Sequence, residues 1–128
     1  MSDEKQPQDL RERTKKFALR VIRMCGTLPN TRKGKILGDQ IFRSSTSVGA
    51  NYREAYRARS KAEFISKIGD SQRELEEAIY WMELISEVGL VSPEKLALLQ
   101  AEADELMAIF SSIIKNSRRI NGAGSEHR

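Results

Sequence analysis

Most of the residues that carry enzyme chemistry are scarce in this chain of 128 residues. The only histidine is His127, at the C-terminal end. That removes Ser-His-Asp and Cys-His catalysis, and the Glu-x-x-His pairs of a di-iron bundle. The only cysteine, Cys25, cannot close an internal disulfide, so a reducing cytoplasm is the expected setting. It falls on an apolar helical face and reads as a small buried hydrophobe. Three prolines, at positions 7, 29 and 93, leave long stretches free to be helical. The longest apolar cluster, AIYWMELI, is far too short to cross a bilayer. The first residues, MSDEKQPQD, are polar, and no secretory leader is expected. "RKGKILG", around Gly34 and Lys35, lacks the first glycine and the hydroxyl residue of a phosphate-binding loop. Glu74 and Glu77, one helical turn apart, read as an exposed acidic face. No strand signal competes with helix anywhere. An enzyme is therefore not expected, and neither a metal nor another cofactor is called for.

Charge is abundant and unevenly placed. From Leu10 to Ala62, fourteen Lys and Arg face three Asp and Glu. From Glu63 to Glu105, three Lys and Arg face eleven Asp and Glu. A basic front half attracts polyanions; an acidic back half pairs with it, within or between subunits.

Four helical segments are predicted. In the first, from about residue 8 to 28, Leu10, Phe17, Val21, Met24 and Leu28 form a stripe. Arg13, Lys16, Arg20 and Arg23 keep the same period on a neighbouring face. "TLPN" ends it, since Pro29 disfavours helical geometry in the residue before it. Thr31 is the expected N-cap of the second segment. There Leu37, Ile41, Ser45, Val48, Tyr52 and Ala55 form an apolar seam. Gln40, Arg43, Ser44, Ser47, Asn51 and Glu54 form a second, polar seam, about a quarter turn away at roughly 100° per residue. "SSTS" alone suggests a loop, because such side chains compete for backbone hydrogen bonds. Two registers sustained side by side predict a helix instead, small and polar along one edge. Small residues there let a neighbouring backbone approach, with Gln40, Asn51 and Glu54 placed to satisfy buried polar atoms.

"SKAE" at Ser60 is a capping box. Ile65, Ile68, Gln72, Leu75, Ile79 and Met82 then make a bundle seam that stops at Gly89, a good C′ residue. Tyr80 and Trp81, beside it, read as core or interface. "VSPEK" opens the fourth segment, with Ser92 as cap and Pro93 at N1. Leu96, Leu99, Ala103, Leu106, Phe110 and Ile113 repeat the pattern. Residues 1–8 and 119–128 are expected to be disordered around a bundle at 9–118. The fold class is all-α, an antiparallel up-down-up-down four-helix bundle.

Two sets of cations are candidates for holding the backbone of RNA or DNA: Arg13, Lys16, Arg20 and Arg23, and then Arg53, Arg57, Arg59 and Lys61 around the corner between the second and third segments. Phosphate contacts need only cations in a row, with no sequence code. Aromatics among them are few: Phe17, Tyr52 and Tyr56, with Tyr52 reading as core. The alternative is a protein-interaction scaffold whose basic faces serve subunit contacts only.

The run QIFRSSTSVGANYREA (Gln40 to Ala55), followed by S-x-x-E-F from Ser60 and DSQRELEE from Asp70, resembles a known family. These are the small four-helix-bundle proteins encoded in intervening sequences of bacterial 23S ribosomal RNA genes. Their relatives include the accessory variability proteins of diversity-generating retroelements, which the basic first segment resembles more. Ala55 stands where the family often has glycine. The resemblance implies a homopentameric ring. For the retroelement members it implies binding to a reverse transcriptase and its structured template RNA. The polar residues Gln40, Arg43, Ser44, Ser47, Asn51 and Glu54 would then hold contacts within or between subunits.

Overall fold

The computed structural model describes the backbone of residues 2–126 and the side chains of residues 10–119. It contains four helices and, among the described residues, no strand: α1 (Ser2–Cys25), α2 (Arg32–Tyr56), α3 (Lys61–Glu87) and α4 (Pro93–Glu126). The disorder expected at 1–8 and 119–128 falls, apart from Arg119, outside the residues described to side-chain level. No helix is long and apolar enough to cross a membrane.

The helix ends obey local chemistry. α1 stops three residues earlier than its apolar stripe suggests. Gly26, Thr27 and Leu28 fold into tight turns, their amides donating to Arg23 O, Met24 O and Cys25 O at 3.1, 2.9 and 3.1 Å. Pro29 makes that stop necessary, because Leu28 is pushed away from helical geometry. Thr31 caps α2, its Oγ1 accepting from Gly34 N at 3.2 Å. Ser60 caps α3, accepting from Glu63 N at 3.1 Å. Glu63 reaches back one residue further than the simple capping box requires, taking the Arg59 amide at 3.1 Å. After α3, Gly89 adopts φ +83°, a conformation other residues reach only with strain.

Each helix packs on the next, and α4 returns onto α1. The core between them contains Phe17 and Val21 from α1, Ile41, Val48 and Tyr52 from α2, Ile68, Leu75 and Met82 from α3, and Leu96, Leu106 and Phe110 from α4. The Tyr52 and Phe110 rings meet across it, centroids 6.1 Å apart. Burial pushes the Tyr52 phenol up to about 12, Tyr56 adding to the shift and Arg11 opposing it.

The serine-rich stretch is continuous helix. Its hydroxyls turn back onto their own backbone rather than breaking it. Ser44 donates to Gln40 O at 3.0 Å, Thr46 to Phe42 O at 2.9 Å and Ser47 to Arg43 O at 2.8 Å. Asn51 Nδ2 continues the series to Ser47 O at 3.0 Å. These groups are satisfied locally and stay short, so neighbouring helices come close on both sides of α2. On one side Gly49 lies against Thr14: a Cβ added there would stand 3.0 Å from Thr14 Oγ1. On the other, Ser71 Oγ of α3 donates to Val48 O at 2.9 Å. Ser45 is the exception, its buried hydroxyl having no hydrogen-bond partner among the described residues.

Candidate nucleic-acid interface

The cations of the basic front half divide according to whether a carboxylate reaches them. Arg13 is taken by α4. Its Nε and Nη2 donate to the two oxygens of Glu102 at 3.1 and 2.8 Å, and Nη2 also meets Glu105. The Glu102 hydrogen bond holds this guanidinium above its already high ordinary value, with burial opposing. Arg43 is taken by α3, donating to Glu74 at 3.1 Å and to Glu77 at 2.5 Å. The two glutamates are therefore a clamp for Arg43 and not simply a solvated face. Glu54 receives Lys67 of α3 at 2.6 Å, which raises the lysine's pKa.

The expected polar seam thus works in two ways. Arg43 and Glu54 join α2 to α3, whereas Ser44, Ser47 and Asn51 bond within α2. Gln40 contributes its backbone carbonyl to Ser44, and its side chain is half-buried.

In the first expected cation row, Arg13 is the member that an acid of α4 engages. Lys16, Arg20 and Arg23 share the Arg13 side of α1, the side toward α4. Lys16 and Arg23 are exposed and Arg20 is half-buried. Arg59 and Lys61 stand exposed on either side of the Ser60 cap.

Arg53 and Arg57 do converge with other cations, and those partners come from the opposite side of α1. Arg11 and Lys15 lie one turn apart there, facing α2. Arg11, Arg53, Tyr56 and Arg57 line a hollow of about 180 Å³. A trough of about 280 Å³ adjoins it through the shared Arg53 and is lined by Thr14, Lys15, Ala18, Thr46, Gly49 and Ala50. The small residues keep it open. The Arg11 guanidinium lies over the Tyr56 ring, 5.0 Å from its centroid, an attraction between a cation and the ring's negative face. Among the described residues no carboxylate forms an ion pair with Arg11, Lys15, Arg53 or Arg57. Four positive charges thus gather along one groove with no ion-paired acid among the described residues, despite the mutual repulsion of like charges one turn apart.

Arg11 and Lys15 were absent from the expected site. Their signal in the sequence is faint: a spacing of four, equal to that of Arg53 and Arg57. Only the packing of α1 on α2 makes the two pairs neighbours.

Burial, with Asp39 second, raises the pKa of the Cys25 thiol, and Sγ donates to Gly38 O at 3.6 Å.

A four-helix bundle with one basic groove is the class these features define. Within that class, the chain belongs to the 23S rRNA-intervening sequence protein family, whose model matches residues 7–112. It is similar to a solved protein of unknown function from the S23 ribosomal protein family of Bacteroides thetaiotaomicron. The two are 33% identical, with a TM-score of 0.80 over 85% of this chain and 97% of that one. No curated protein matches.

Proposed function

We propose that this protein is a non-enzymatic, nucleic-acid-associated bundle that grips the phosphate backbone of RNA or DNA along the α1–α2 groove. One observation carries the reading: Arg11, Lys15, Arg53 and Arg57 share that groove, and among the described residues no carboxylate pairs with them. A polyanion laid there releases its condensed counterions without first breaking internal ion pairs.

In its fuller form the reading takes the helices as up-down-up-down and the protein as a homo-oligomeric ring, a pentamer in the form the resemblance implies. Contacts of α1 with α2 support the antiparallel order: Arg11 meets Tyr56, Thr14 meets Gly49 and Cys25 meets Gly38. Arg43–Glu77, Val48–Ser71 and Glu54–Lys67 do the same for α2 and α3. The acidic α3 and α4 supply a surface that a neighbour's basic face would fit, as in head-to-tail rings. The partner reading, a reverse transcriptase and its RNA, is supported by the basic first helix and its likeness to the retroelement members.

The test is the double variant Arg53→Glu with Arg57→Glu, measured by fluorescence anisotropy with a labelled oligonucleotide across a salt series. Loss of affinity is expected, with the salt slope falling by about two for the two missing contacts. Undiminished affinity would remove the assignment. The alternative is a protein-interaction scaffold whose basic faces, Arg53 and Arg57 included, serve subunit contacts only. Under it the same variant leaves monomers on a sizing column and the wild type retains no oligonucleotide.

A further inference from the structure

We infer that the hollow at the α1–α2 groove takes one unpaired nucleotide, with Tyr56 as its stacking surface, so that the protein prefers single strands to duplex. The inference rests on the proposed nucleic-acid reading and adds to it which form of nucleic acid the groove selects.

Tyr56 is a large aromatic left half-exposed, at 50%, on a surface otherwise made of cations. A solvated basic face has no need of it. Its neighbour Arg53 lies one turn back on the same helix, Arg57 is that helix's C-cap, and Arg11 covers one side of the ring from α1. Half of the residue stays exposed beyond that contact, which leaves surface for a flat partner to cover. Single-strand binders combine these same two parts, a cationic track for phosphates and an aromatic ring for a base. Guanidinium planes also stack on bases, so Arg11 can share the contact.

Size narrows the ligand. About 180 Å³ is well below the roughly 300–1,000 Å³ of clefts that enclose drug-sized molecules. It suits one base or one phosphate unit. The adjoining trough, which begins at Arg53 and includes Lys15, continues the track for the rest of the strand. Its lining of Ala18, Gly49 and Ala50 lets a chain lie close to the helices. A duplex keeps its bases stacked inside and offers this surface phosphates alone. It would touch the arginines and gain nothing from the ring.

The competing view is that Arg11 over Tyr56 only fastens α1 to α2. The two views differ in what removal of the ring does. The experiment compares Tyr56→Ala, Tyr56→Phe and wild type, each titrated against a labelled oligoadenylate and a blunt RNA duplex of equal length. Melting temperatures are recorded alongside. Wild type is expected to favour the single strand. Tyr56→Ala should weaken the single strand about tenfold, the worth of one stacked base, and leave the duplex unchanged. Tyr56→Phe keeps the ring and should bind as wild type does. Equal weakening of both ligands, or of neither, overturns the stacking role and leaves backbone binding standing. Wild type that retains neither ligand overturns both readings.

Discussion

The two flanks of α2 use the same residue types for opposite purposes. Toward α3, charges meet partners: Arg43 lies in a fork of Glu74 and Glu77, Glu54 holds Lys67, and Ser71 stitches onto the α2 backbone. Toward α1, the helices touch through Gly49 and Thr14, and the cations above that contact have no carboxylate among the described residues. Charge serves packing on the first flank. On the second, small residues do the packing and the charge has no acidic partner among the described residues. The lesson is that the number of arginines on a face says little. What matters is whether an acid on the neighbouring helix can reach them.

The most damaging way to break this contrast is to fill the α1 flank. Gly49→Leu puts a side chain where even a Cβ would stand 3.0 Å from Thr14 Oγ1. Overpacking of this kind costs about 2–3 kcal/mol, seen as a fall in melting temperature of about 10 °C. Oligonucleotide binding should fail with it, since the groove and the contact share one floor.

Next in size is Arg13→Ala. Its two-pronged bond to Glu102 is only partly exposed, and its loss should cost about 1–2 kcal/mol in urea unfolding. Affinity for oligonucleotide should stay within twofold of wild type. Arg43→Ala is the control: its side chain is half-exposed, and no more than about 0.5 kcal/mol is expected. A large loss of binding in either variant would erase the division between paired and available cations.

Ser45→Ala sharpens the comparison from the other direction. The hydroxyl is fully buried and has no hydrogen-bond partner among the described residues, so removing it should raise stability by about 1 kcal/mol. Ser44→Ala deletes a satisfied hydroxyl and should show no such gain in the same thermal melt.

The smallest effect at neutral pH belongs to Tyr52. Its folded value of about 12 lies above the ordinary 10.0. The folded state therefore holds this proton more tightly, and the associated stability is complete below pH 10. It drains away as pH rises from 10 toward 12. Urea midpoints should decline over that window, and less so in Tyr52→Phe. Arg13 adds no slope there, because its raised value lies beyond the range.

Much of this was legible from local pattern. The caps at Thr31 and Ser60, the glycine after α3 and the helicity of Ser44 to Asn51 all follow from residues a few positions apart. The core members Phe17, Ile41, Ile68 and Phe110 stand where helical periodicity puts them. The proposed binding face was legible only in part. Arg53 and Arg57 stood out, but so did Arg13, which is engaged by α4, while Arg11 and Lys15 did not. A row of cations along one helix contains no information about which acid lies opposite.

The sequence by itself determined four helices, their capped ends and the faces they bury, because those depend on bonds and spacings within a turn or two. Only the tertiary structure decided which positive charges were met by a carboxylate among the described residues and which were not. That depends on the register of α1 against α2 and α4, which is set by contacts such as Gly49 with Thr14 between residues far apart in the chain.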